Sequence, residues 1–132
     1  MSLKIVFMGT PEFSIPSLKI LKQSEHKIVC VYTQPPKKKS RGQKILKTAV
    51  HVFSENEGIK VITNNLDNEK EYKNFIKLNP DLVVVVAYGK IIPDIYLKNP
   101  NLIFLNLHAS LLPKWRGAAP IERSILNKDK ET

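Results

Sequence analysis

The residue types able to do chemistry gather near the carboxyl end of this chain, in Asn106-Leu107-His108-Ala109-Ser110-Leu111-Leu112-Pro113. An imidazole can take or give a proton near neutral pH. A side-chain amide beside it can donate to a developing oxyanion. If the segment is a strand, its alternation puts Asn106 and His108 on one face. Together the two suit acyl-type transfer to an amine. A lone histidine at a strand end is commonly a structural residue, and the asparagine two positions earlier weakens that alternative.

A second feature is electrostatic. Gln34–Thr48 reads QPPKKKSRGQKILKT and holds Lys37, Lys38, Lys39, Arg41, Lys44 and Lys47 with no acid. The whole chain has 21 basic and 12 acidic residues, a net charge of +9, and six of those charges sit in this loop. Pro35-Pro36 opens it stiffly and Gly42 lets it bend. Such a run can be no more than a solvated surface. Its place after a strand favours contact with a nucleic-acid backbone.

The elements that must hold these residues follow from hydrophobic patterning. Leu3–Met8, Lys27–Thr33, Ile59–Ile62, Asp81–Ala87 and Leu102–Leu107 read as strands. The unbroken valines of the fourth suit a strand covered on both faces. Phe13–Gln23, Ile45–Glu57 and Asn68–Leu78 read as helices, the last with Tyr72, Phe75 and Ile76 facing inward. Pro16 is tolerable only in a first turn. Alternating strands and helices predict an α/β fold, a three-layer Rossmann-like parallel sheet. Ligands of such sheets bind beyond the carboxyl ends of the strands. The loops after Met8, Thr33, Ala87 and Leu107 are therefore the ones to inspect.

Composition excludes several classes. With 132 residues, 42% hydrophobic and 25% charged, the chain is long enough for one domain with a real core. The single cysteine, Cys30, rules out an internal disulfide framework and a cysteine-based metal site, and reads as core packing. No ligand cluster for a metal is visible. No apolar run approaches the ~20 residues that cross a membrane, and no signal peptide is expected. The expectation is a soluble protein of a reducing compartment. The first strand–helix turn, Gly9-Thr10-Pro11-Glu12-Phe13, has one of the three glycines that a dinucleotide site requires. Pro11 also lacks an N–H, so NAD or FAD binding is not expected. The GxxxxGK[ST] phosphate loop is absent too.

The stretch Asn106–Pro113 resembles the N-x-H-x-S-L-L-P signature of the folate-dependent formyltransferases. Trp115-Arg116-Gly117-Ala118-Ala119-Pro120-Ile121 is similar to the members that act on methionyl initiator tRNA. So are Phe7-Met8-Gly9-Thr10-Pro11-Glu12-Phe13, Thr33-Gln34-Pro35 and Val85-Val86-Ala87-Tyr88-Gly89. The resemblance runs in order along the whole chain. It implies a cytoplasmic amino-terminal catalytic domain that takes a formyl group from 10-formyltetrahydrofolate, a co-substrate, and passes it to the amino group of methionine on initiator tRNA. It makes Asn106 and His108 catalytic. Ser110, Leu111, Leu112 and Pro113, with Tyr88 and Gly89, become folate-binding. Lys37, Lys38, Lys39, Arg41 and Lys44 meet the tRNA acceptor arm, and Phe13 lies near the active centre. No metal and no membrane partner are implied. Trp115 stacks on a ligand or anchors its loop.

The family's third catalytic residue is an aspartate beyond this region. Asp129 does not match it, so the domain 1–132 is expected to be incomplete at its carboxyl end, without the carboxyl-terminal tRNA-binding domain, and to have little activity alone. Two other readings stand beside this one. The chain could be a non-catalytic folate- or RNA-binding remnant, or a formyltransferase for another amine. The basic loop argues against the latter.

Overall fold

The computed structural model describes residues 1–39, 41–42, 44–114, 116–117 and 120–131, with the side chain of residue 39 outside the description. Trp115, Ala118, Ala119 and the Lys39 side chain, all singled out above, therefore lie outside the described residues.

The strands are β1 (Lys4–Gly9), β2 (Lys27–Tyr32), β3 (Lys37–Lys39), β4 (Lys44–Leu46), β5 (Val61–Ile62), β6 (Leu82–Val86) and β7 (Phe104–Leu107). The helices are α1 (Ile15–Gln23), α2 (Ala49–Asn56), α3 (Glu69–Lys77), α4 (Asp94–Leu97) and α5 (Pro120–Leu126). Among the described residues, five strands form one parallel sheet in the order β5-β2-β1-β6-β7. The expected architecture is met.

Strand alternation sends alternate side chains of β1 into two cores. Val6 and Met8 join Cys30, Tyr32, Phe75, Val83 and Tyr96 on one face. Phe7 joins Leu18, Val31, Val50 and Val86 on the other. Helices α3 and α4 supply the first layer, and α1 and α2 the second. Pro16 stands in the first turn of α1, where its missing N–H costs nothing.

The register aligns the carboxyl ends. Gly9 pairs with Val86, and Val86 with Leu107, so β1, β6 and β7 stop at one level. Gly9 has no alternative here. A Cβ on it would lie 2.9 Å from the Val86 carbonyl oxygen and 2.9 Å from the Ser14 Cβ.

Several boundaries differ from the sequence expectation. The helix expected over Ile45–Glu57 begins at Ala49, because Thr48 caps it by accepting from the His51 N–H. Ile45 and Leu46 instead lie in β4, antiparallel to β3, so the basic loop is a hairpin. Its lysines hid that pairing, since they break the apolar alternation by which strands are recognised. Strand β5 shortens to two residues, and β7 begins at Phe104. Ile76 is exposed; the inward side of α3 is held by Phe75 and by Glu71. The Glu71 carboxylate accepts from the Tyr32 hydroxyl and the Asn64 amide, both at 2.9 Å, which is what lets it be buried. The helix expected over Phe13–Gln23 begins at Ile15, and Thr10 makes no cap for it. The turn after it is a 3-10 turn at Glu12–Ser14, and the Thr10 hydroxyl goes elsewhere.

Candidate active site and nucleic-acid interface

The loops after β1, β2 and β6 meet at the switch point of the sheet. The Thr10 hydroxyl donates to the Tyr88 carbonyl at 2.7 Å, and the Gln34 amide donates to the same oxygen at 3.1 Å. The Ser14 hydroxyl donates to the Val86 carbonyl. Between those two carbonyls the chain turns through Ala87 (φ 50°) and on to Gly89 (φ 75°). The Tyr88 ring is buried in the core and its phenol is pushed up to about 12, by burial first and then by the Glu71 charge. What Tyr88 and Gly89 can offer a ligand is therefore backbone.

On β7, Asn106 pairs with Val85 and leaves its side chain exposed. His108 stands just past the last paired residue, Leu107, and is half-buried. The two expected catalytic residues thus leave the sheet at its ligand end. No hydrogen bond joins them among the described residues.

The loop behind His108 determines how its ring is used. Ser110 Oγ donates to the Lys114 carbonyl at 2.6 Å. That bond takes the only hydroxyl proton, so Ser110 Oγ can only accept from His108 Nδ1, which lies 2.7 Å away. Nδ1 carries the hydrogen. Nε2 is then the basic nitrogen, 3.3 Å from the Gly117 carbonyl, an oxygen able to accept once Nε2 is protonated. Ser110 was expected to bind a ligand; its hydroxyl is engaged within the loop. Leu111, Leu112 and Pro113 are exposed.

The hairpin carries Lys37, Lys38, Arg41 and Lys44 exposed, and none of the four forms an ion pair among the described residues. Lys47 is different. It lies 2.9 Å from Glu55, and its hydrogen bond holds the Glu55 carboxyl below the usual range, helped by its charge. The base of the hairpin is closed by Thr33 Oγ1 and Thr48 Oγ1, 2.6 Å apart. Phe13 is half-exposed in the turn after β1. Asp129 sits 3.8 Å from Lys114 and accepts from Asn127. Among the described residues no group of three or more His, Cys, Asp or Glu could hold a metal ion. Sequence reasoning missed Gln34, which acts through a contact across loops, and the Ser110 latch, whose partner is a backbone carbonyl that no motif marks.

A parallel sheet with helices packed on both faces, and Asn106 and His108 at its carboxyl end, defines a domain of Rossmann-like form. Residues 3–132 match the family model described as formyl transferase, and the chain belongs to that family. Over its full length it is 54% identical to the methionyl-tRNA formyltransferase of Pelagibacter ubique and spans 43% of that protein. It is 50% identical over 98% of its length to the protein of the same name from Paramagnetospirillum magneticum, again 43% of the relative. The relative from Coxiella burnetii is 49% identical over the whole chain, which covers 42% of it. Among solved structures, a phosphoribosylglycinamide formyltransferase from Anaplasma phagocytophilum superposes with a TM-score of 0.72 at 19% identity, covering 96% of this chain and 59% of that one. A formyltetrahydrofolate deformylase from Pseudomonas syringae pv. tomato gives 0.66 at 19% identity, with 96% and 42% covered. These two likenesses concern the fold.

Proposed function

We propose that this chain is the amino-terminal catalytic portion of an enzyme that moves the formyl group of 10-formyltetrahydrofolate to the α-amino group of methionine on initiator tRNA. The observation that carries this is the identity of about half with methionyl-tRNA formyltransferases along the entire chain.

The residues present fit a flat, partly aromatic co-substrate. Leu107, Leu111 and Leu112 are exposed apolar side chains at and beyond the carboxyl end of β7, and the Ala87–Gly89 turn offers backbone beside Asn106 through the β6–β7 pairing. These residues would hold the folate, with Ser110 shaping the loop; the co-substrate supplies the activated formyl group. His108 Nε2 takes the proton that the attacking amine must lose, the Gly117 carbonyl receives the resulting N–H, and the proton passes on to the folate nitrogen as its bond to the formyl carbon breaks. An α-amino group with a pKa of ~7.7–8.0 needs only modest help at neutral pH. The Asn106 amide is a donor for charge growing on an acyl oxygen. Lys37, Lys38, Arg41 and Lys44, together with Lys39, bind acceptor-arm phosphates. The buried Cys30 fits a reducing compartment, and the cytoplasm is the proposed location.

The test is single-turnover formyl transfer from 10-formyltetrahydrofolate by the full-length enzyme of which this chain is the amino-terminal portion, with methionyl initiator tRNA and glycinamide ribonucleotide as rival acceptors. Transfer to the tRNA alone is expected. Preference for the small amine would sink the reading.

A further inference from the structure

We infer that Gln34 is a positioning residue that links occupancy of the basic hairpin by RNA phosphates to the geometry of the Ala87–Gly89 turn. The inference rests on the roles proposed above for the hairpin and the turn.

Gln34 is the last residue before Pro35-Pro36, and Lys37 of β3 follows directly. Two consecutive prolines make a stiff spacer, so displacement of β3 is carried back to Gln34 rather than absorbed. Gln34 is held on the other side by the switch point. Its backbone N–H donates to Thr10 Oγ1 at 3.4 Å, and its amide Nε2 donates to the Tyr88 carbonyl at 3.1 Å. Thr10 Oγ1 donates to that same carbonyl. The Tyr88 oxygen is thus shared by the ends of the first two strands of the chain.

Gly89 completes the arrangement. Its φ of 75° is one that side chains rarely adopt, and a Cβ there would collide with the Gln34 amide nitrogen. The amide occupies the space that any larger residue would fill. Ala87, at φ 50°, also holds a conformation unusual outside glycine. Two such residues flank a carbonyl pinned by two donors, so the turn depends on those donors for its shape. One donor, Thr10, is fixed by β1. The other belongs to the root of the hairpin. The second root is tied through Thr48 to Thr33 and through the Val50 N–H to the Thr10 carbonyl at 3.3 Å, and makes no hydrogen bond with Tyr88 among the described residues. Gln34 is therefore the direct route by which the hairpin reaches the turn. A ligand at either end that favours one position of Gln34 must be favoured in return by a ligand at the other, because coupling between sites is reciprocal.

The experiment is 15N NMR on the 132-residue chain, titrated at low salt with an RNA hairpin that copies a tRNA acceptor stem. In the wild type, RNA is expected to move amides of Lys37–Leu46 and also those of Tyr88 and Gly89. In Gln34→Glu, which keeps the size and loses the N–H donor, the hairpin amides still move and Gly89 does not. Gln34→Met, similar in length and without a donor, serves if the first variant misfolds. Binding of 5-formyltetrahydrofolate, followed by titration calorimetry, is expected to tighten about fivefold or more with RNA present in the wild type and not in the variant. A Gly89 amide that stays still while the wild-type hairpin responds overturns the link. So does an equal Gly89 response in both donor-less variants. RNA that moves no hairpin amide overturns the hairpin's role and the link with it. A Gly89 response in a chain that binds no folate supports the link and refutes the folate reading alone.

Discussion

His108 Nδ1 lies 2.7 Å from Ser110 Oγ, whose own proton is committed to the Lys114 carbonyl. This places the hydrogen of the neutral ring on Nδ1 and leaves Nε2 as the base. Long-range 1H–15N spectra of the neutral imidazole are expected to show the Nδ1–H form. In Ser110→Ala the preference should disappear. A wild-type ring protonated on Nε2 would contradict the hydrogen-bond assignment.

The two side chains at the end of β7 have different expected costs. Asn106→Ala should lower single-turnover formyl transfer by about 10²–10³-fold, as for removal of an oxyanion donor, roughly 2.7–4 kcal/mol. His108→Ala should lose most of the rate. Folate binding, read by calorimetry, should largely survive both, since neither group is assigned to holding the ground state. Equal losses in binding and rate would reassign them as ligand-binding groups.

Four exposed cations on a hairpin, with no ion pair among the described residues, should behave as a phosphate reader. Replacing Lys37, Lys38, Arg41 and Lys44 by Gln is expected to weaken tRNA binding and to flatten the plot of log K against log salt, by about 0.7–0.9 for each phosphate that is no longer neutralised. Lys47→Gln should change the slope less, because Lys47 is held by Glu55. A salt slope unchanged in the quadruple variant would leave the hairpin as a solvated surface.

Burial gives the fold an alkaline weakness. Cys30 is fully buried and its thiol is pushed up to about 12, by desolvation first, against a partial opposing pull from Lys60. The raised folded value means that the unfolded chain loses this proton first as pH rises. Stability from this group is thus intact below the unfolded thiol pKa and falls as pH climbs from there toward 12. The loss is about 1.4 kcal/mol per pH unit, on the order of 1–2 kcal/mol by about pH 10. Urea unfolding at about pH 7.5 and about pH 10, on either side of the unfolded thiol pKa, should show that decline in the wild type and a smaller one in Cys30→Val. Identical declines in both proteins would assign the effect to other groups, such as Tyr88, whose phenol is also raised.

The sequence by itself determined the sheet. The valines of β6 and the apolar β1 and β2 are runs whose burial is decided by their own side chains, so pattern located them. The position of Asn106 and His108 at the carboxyl end of β7 was legible because it depends on a local apolar run. The hairpin was not, since Lys37–Lys39 pairs with Lys44–Leu46 through backbone groups that the lysine side chains do not advertise. Nothing in the pattern of α3 marks Glu71 as a buried residue. Only the folded chain brings Tyr32, 39 residues away, to its carboxylate. Gln34 and Tyr88 are 54 residues apart, and nothing periodic in either segment announces their bond. Ser110 reads as a ligand-binding residue from its motif, whereas in the fold the Lys114 carbonyl claims its proton. Hydrophobic burial repeats with the period of the element that carries it. A single hydrogen bond between loops has no period, and its existence is decided where the chain ends of several strands converge.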